Sequence, residues 1–183
     1  MGGNQGDVAI AIAKAYPDLK FIVQDKAGMR TPESIGTVPP ELAGRVKLTA
    51  HDILEPQTEV AEAYFFRIVF HCFSDKYCVK ILQALSPALR KGCRIIINDG
   101  ALPEQGTVGR TQERYIRMGD VFVSITMNSR EREVGEWTEL FARADSRYKV
   151  KRSWKPKTSA LYFIEAEWTG GDDSEAIVLP CLN

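Results

Sequence analysis

Gly2, Gly3 and Gly6 fall within one five-residue turn, GGNQG, directly before an apolar stretch of helix-forming residues. Glycines at such a point let main chain approach a ligand closely and aim the first N–H groups of a helix at it. A tight connection between elements would use the same residues. Asp25 lies 22 positions after Gly3, at the end of FIVQD, where a carboxylate can accept hydrogen bonds from both hydroxyls of a ribose. That spacing fits a nucleoside cofactor, NAD or S-adenosylmethionine alike, although a turn or helix cap also suits an aspartate. Asp52 closes a similar extended segment, VKLTAHD. His71, in FHCFSDKYCVKIL, is one of only two histidines, and imidazole titrates near the pH at which a hydroxyl proton must be moved. A hydrogen-bonded histidine at a strand end is its bland alternative.

These residues need a scaffold, and the hydrophobic pattern supplies one. Residues 6–15 read as a helix stopped by Pro17 and Asp18. FIVQD, VKLTAHD, AYFFRIVFH (63–71) and CRIIIND (93–99) read as buried strands, rich in aromatic and β-branched residues. Between the last two, Ser74 is placed to cap a helix whose apolar face is Tyr77, Val79, Ile81, Leu82 and Leu85, which implies a right-handed parallel crossover. Residues 110–127 place Tyr115, Met118, Val121, Phe122 and Ile125 at helical spacing; such a stripe is ordinarily core. A charged NSRERE loop, a helix around Trp137, Leu140 and Phe141, and two strands joined at 156–159 complete the fold. The expected class is α/β, a doubly wound sheet, mostly parallel with an antiparallel last strand. Residues 1–169 form the expected domain, and 170–183 a loosely ordered tail in which IVL could dock.

Composition narrows the partners. The chain has 183 residues, 44% hydrophobic and 26% charged, enough for a sizeable core. Lys plus Arg and Asp plus Glu are 24 each, so no polyanion such as nucleic acid is implied. No apolar run approaches the ~20 residues that span a bilayer. Cys72, Cys78, Cys93 and Cys181 form no CxxC pair, and with no secretory leader they are read as reduced thiols of a cytoplasmic protein.

Taken in order, GGNQG, QD at 24–25, HD at 51–52, FHCFSDKYCVKIL and INDGALP resemble the catalytic domain of plant and fungal small-molecule O-methyltransferases that use S-adenosylmethionine. The resemblance runs from Gly2 to about Trp168. It implies that Gly2, Gly3, Gly6 and Asp25 hold the cofactor, that Asp52 and Ile53 face its adenine, and that Arg67 lies near it. It places the general base on His71. It also implies that Asp99 and Glu131 support that base, one of them holding the imidazole in its productive tautomer. A charged loop usually faces water, which is the alternative for Glu131. Met118, Phe122, Met127 and Asn128 would line the acceptor pocket, and the branch of the family resembled needs no metal.

Departures from the family pattern shape the expectation as much as the matches. Cys72 stands where the family has aspartate and Phe73 where it has tryptophan. The family's first strand and its helical lid and dimerisation region would precede Met1, so the expected sheet lacks its first strand, and self-association or a partner supplying that region is implied. The leading expectation is methyl transfer to a hydroxyl of a small aromatic or polyketide-like secondary metabolite. Two alternatives stand beside it: a catalytically inactive or repurposed relative, either a cofactor-binding subunit or a pericyclase-type enzyme, and an NAD-dependent oxidoreductase.

Overall fold

The structure, a computed structural model, describes residues 1–28 and 38–171. Those residues fall into two compact units divided after Glu55. Most of the expected 170–183 tail, with its IVL segment and Cys181, lies outside them.

In the first unit, α1 (Asp7–Ala15) leads through a turn to β1 (Phe21–Asp25), which pairs parallel with β2 (Val46–Ala50), Phe21 opposite Val46. Ala13, Val23, Leu42 and Val46 are buried together, with Ile10, Phe21 and Leu48 packed around them. Arg45 closes the carboxyl end of α1: its guanidinium donates to the Ala13 and Tyr16 carbonyls at 2.9 and 3.2 Å. These are carbonyls that a helix end leaves without intrahelical partners, and a cation there also suits the helix dipole.

The second unit is a four-stranded sheet in the order β3 (Ala63–Arg67), β4 (Arg94–Asp99), β6 (Tyr162–Trp168), β5 (Tyr148–Trp154). β3 and β4 are parallel and joined through α2 (Asp75–Leu85); the last strand, β6, runs antiparallel to both β4 and β5. That arrangement is the mostly parallel sheet with a reversed last strand that the sequence predicts. Among the described residues no strand joins β1–β2 to this sheet.

Three expectations need correction. The strand expected over 63–71 ends at Arg67, because Ile68 takes a left-handed φ of 54° and residues Phe70–Cys72 form a single 3₁₀ turn. On α2 the buried face is Cys78, Ile81, Leu82 and Leu85, while Tyr77 is exposed. Cys78 takes the buried place, its thiol donating to the Phe70 and Phe73 carbonyls, while the Tyr77 ring lies partly exposed under Lys80. Ser74 stands at the N-cap position, but its side chain makes no capping bond.

The two later helices behave oppositely. α4 (Glu136–Ala144) buries Trp137, Leu140, Phe141 and Ala144. α3 (Arg110–Met127) buries only Val123, so its Tyr115, Met118, Phe122 and Ile125 stripe is not core. Tyr115 is 79% and Ile125 80% exposed. Helical periodicity records amphipathicity and is silent about whether anything covers the apolar side.

Candidate active site

The site grows from the carboxyl ends of β3 and β4. The reversal at Ile68, whose N–H donates to Asn98 O at 3.0 Å, turns the chain so that Phe70 enters the core and His71 follows it at the rim. Phe70 is fully buried, packed edge-on against Phe66 and Trp137 at 5.1 and 5.8 Å between ring centres. Such aromatic packing leaves the following residue little freedom.

Glu131 lies beside the His71 ring. Its Oε1 is 3.0 Å from Nδ1, and both side chains are mostly buried. In the neutral ring Nδ1–H donates to the carboxylate, and Nε2 is then the nitrogen left to accept a proton. The contact raises the pKa of His71 from its ordinary value, a change opposed by burial and by Arg132 and helped by the charge of Asp99. Glu131 is itself fixed: its N–H donates to Asp120 Oδ1 at 2.8 Å. Gly100 leaves it room, since a Cβ there would lie 2.7 Å from Glu131 Oε2.

Asp99 does different work from Glu131. Wholly buried, it turns Oδ2 to the main chain of the turn and accepts the N–H groups of Phe70 at 2.9 Å and His71 at 3.4 Å. Burial pushes its carboxyl up to about 6, and Oδ1 has no hydrogen-bond partner. The structure therefore brings His71, Asp99 and Glu131 together and gives the imidazole contact to Glu131. A shallow open cleft beside Glu131 is lined by Ala101, Pro103, Ile116, Lys155 and Tyr162. Met118, Phe122, Met127 and Asn128 do not line it; they stand exposed on α3 and at its end.

The first unit holds the glycine turn. Gly2 and Gly6 have φ of 62° and 89°, conformations that side chains resist, and Gly3 has its Cα so close to Val23 that a Cβ would meet Cγ1 at 2.5 Å. Asp25 reaches back to this turn, its Oδ2 accepting the Asn4 N–H at 2.7 Å and its Oδ1 that of Lys26 at 2.8 Å. A carboxylate has about four lone-pair sites, so it retains acceptor capacity for two hydroxyls. Asp52 binds Lys26 Nζ at 3.0 Å and accepts the Leu54 N–H at 3.0 Å; that backbone bond, aided by Lys26, lowers its pKa. Ile53 is half-buried in the adjoining turn. Arg67, in the second unit, is exposed at the last position of β3.

Sequence reasoning missed Arg132. In SRERE it looks like one more solvated charge, yet it is 1% exposed and bound to the main chain around His71. Asp120 and Gly100 were also unassigned. Only the neighbours of these residues in three dimensions distinguish them. Among the described residues no group of three or more His, Cys, Asp and Glu side chains is arranged to grip a metal ion.

Comparison with known proteins places this geometry in a family. The O-methyltransferase domain family matches residues 1–147. The grayanic acid biosynthesis cluster O-methyltransferase of Cladonia grayi is 44% identical over 92% of this chain, which spans 38% of that relative. The chlorophenol O-methyltransferase of Trichoderma longibrachiatum is 36% identical over 92% of this chain and 36% of its own length. The chain thus spans less than half the length of the curated relatives it matches. Among solved structures, LepI in complex with SAM superposes with a TM-score of 0.78 at 25% identity, covering 93% of this chain and 42% of LepI. The neocarzinostatin O-methyltransferase NcsB1, solved with S-adenosyl-L-homocysteine and 1,4-dihydroxy-2-naphthoic acid, shares the fold with a TM-score of 0.76 at 21% identity over 91% of this chain and 47% of its own.

Proposed function

The chain belongs to the O-methyltransferase domain family, and from that membership we propose that it transfers a methyl group from S-adenosylmethionine to a hydroxyl of a small aromatic or polyketide-like secondary metabolite. The observation that carries this reading is the 3.0 Å contact of His71 Nδ1 with Glu131, which leaves Nε2 as a proton acceptor. When bound, S-adenosylmethionine supplies a methyl group on a positively charged sulfur. The chain's own task is to make the acceptor oxygen nucleophilic. His71 Nε2 takes the hydroxyl proton as the oxygen gives up its O–H bond, and Glu131 and Asp99 offset the charge of the resulting imidazolium. Names of the relatives favour methyl transfer over hydride transfer or rearrangement.

The first unit suits a nucleoside. Its glycines keep side chains out of the turn, and Asp25 retains lone pairs for a ribose. Gly2, Gly3, Gly6 and Asp25 would hold the cofactor, with Asp52 and Ile53 toward its base and Arg67 in a supporting part. Residues 1–169 are read as the cofactor-binding domain. Calorimetric titration with S-adenosylhomocysteine tests this. Asp25→Ala is expected to weaken binding about 10- to 100-fold, the loss of one or two hydrogen bonds to a charged group. Undiminished binding by the variant would remove Asp25 from the site, and a folded wild-type chain that fails to bind would overturn the cofactor reading for this chain.

A cytoplasmic location fits the thiols. Cys78 and Cys93 are free and buried, and burial pushes both up to about 12, far from the reactive thiolate range. Among the described residues no helix is long and apolar enough to cross a membrane.

The α3 stripe supports self-association or the docking of a helical partner. Tyr115, Met118, Phe122 and Ile125 are spaced 3, 4 and 3 apart, the spacing of a helix-packing seam, and each is at least 62% exposed. An apolar patch of this kind is costly to leave in water. Light scattering over a dilution series is expected to show oligomers that Ile125→Glu disperses. A monomer at every concentration would count against self-association.

A further inference from the structure

We propose that Arg132 is the positioning residue for His71, gripping the main chain on both sides of the imidazole while its neighbour Glu131 holds the ring. Arg132 Nη1 donates to Phe70 O at 3.2 Å and Nη2 to Phe73 O at 2.9 Å. Those two carbonyls bracket His71 and Cys72. Nε and Nη2 also donate to Asp75 Oδ1 at 3.0 and 2.9 Å, so one guanidinium ties residues 70, 73 and 75 into a closed loop. Its charged end lies 5.5 Å from the Trp137 ring centre, and Nη2 is 3.2 Å from Cys78 Sγ.

The dipeptide that carries the grip is itself anchored. Asp120 takes the Glu131 N–H, and the Arg132 carbonyl accepts the Leu102 N–H at 3.0 Å, a few residues beyond Asp99 and Gly100. From the opposite side Asp99 accepts the turn's leading N–H groups. A carboxylate thus faces the amide end of the Phe70–Cys72 turn and a guanidinium faces its carbonyl end, each matched to the local peptide dipoles.

Stability alone accounts poorly for this residue. A buried ion pair recovers little more than its desolvation cost, and apolar replacements of similar volume are often as stable. What an arginine adds is direction: a rigid planar fork fixes several acceptors at once, and lysine, with one rotating ammonium, does not. The 3.0 Å His71–Glu131 contact needs both partners held to within a fraction of an ångström, and Arg132 joins them through one peptide bond and two main-chain hydrogen bonds.

The proposal rests on His71 as the base, but its test does not need turnover. With two histidines in the chain, NMR titration resolves the His71 ring, and His71→Gln assigns it. The charged and titratable groups that shift the ring are Glu131, Asp99 and Arg132, and Cys72 adjoins it. Arg132→Lys keeps the positive charge and loses the fork. In that variant the His71 titration is expected to fall toward the ordinary histidine value as the Glu131 contact loosens. Added to Glu131→Gln, it should cause no further fall. A folded Arg132→Lys with a lower melting temperature and an unchanged His71 titration would overturn the proposal, leaving a purely structural residue. Should Arg132→Lys not fold, Asp75→Asn loosens Arg132 from the solvent side of the network, with Arg143→Gln and Arg130→Gln as controls for the two other arginines that Asp75 pairs with at 3.2 and 3.4 Å. The effect of Asp75→Asn should likewise vanish in the Glu131→Gln background, and an unchanged titration overturns the proposal. Absence of cofactor binding or methyl transfer would refute the functional reading and leave these titrations intact.

Discussion

Replacing His71 with glutamine is expected to lower methyl transfer by roughly 10²- to 10⁴-fold, the usual contribution of a positioned general base, while leaving affinity for S-adenosylhomocysteine unchanged. Glutamine keeps a side chain of similar reach and can still meet Glu131, so the turn survives, but it has no nitrogen lone pair of the right basicity. The pH profile gives the same test a second readout. Because Glu131 raises the pKa of His71, the base is charged and inactive below an inflection above 6.5, and the rate rises as pH passes through it. Glu131→Gln removes the main cause, so its acid limb should move to lower pH as its maximal rate falls. Stability runs the other way. A folded-state pKa raised above the unfolded value contributes stability that is complete below 6.5 and is lost as pH rises through the folded value. Denaturant midpoints should therefore drop across that interval in the wild type and less in Glu131→Gln. Full activity of His71→Gln on an accepted substrate would show that the hydroxyl is deprotonated elsewhere.

Phe70→Ala is expected to cost about 3 to 5 kcal/mol, a large loss for one substitution beside the site. The ring is fully buried and edge-on to both Phe66 and Trp137, so truncation leaves a cavity that the two remaining aromatics cannot close. Domains are stable by only about 5 to 15 kcal/mol, so the variant should unfold at far lower urea. The loss reaches the chemistry as well. The main chain of Phe70 is held by Asp99 at its N–H and by Arg132 at its carbonyl, and His71 is the next residue. A variant that folds should show a His71 titration shifted toward its ordinary value. A loss below about 1 kcal/mol would mean that the cluster repacks around the gap.

Much of the molecule was legible in the sequence, and for a local reason. Strand and helix assignments follow from alternation and 3.6-residue periodicity, which the chain carries along its own length. FIVQD, VKLTA, RIIIND and the α2 and α4 helices lie where those periods put them. The glycine turn was equally legible, because the steric freedom of Gly2, Gly3 and Gly6 belongs to the residues themselves. His71, Asp99 and Glu131 came from the resemblance to a known family, and the structure brings the three side chains together.

Four features were decided by tertiary structure alone. The reversal at Ile68, which ended the expected strand four residues early, places a β-branched residue at positive φ against its own preference, and only the surrounding contacts hold it. The division of labour between Asp99 and Glu131 depends on which carboxylate reaches an N–H of the turn and which reaches the ring, a matter of ångströms between residues 32 positions apart. The α3 stripe reads as core by its period, yet burial is a property of what lies opposite, and nothing in the helix itself states that. Arg132 shows the same limit most plainly. In the sequence it is an arginine next to a glutamate, as Arg130 is, and only the closing of the Phe70–Asp75 turn around it makes one an exposed, ion-paired charge and the other a buried fork. Side-chain type and spacing fixed the chemistry available to this chain; the environment of each charge, which no residue carries alone, decided where that chemistry is used.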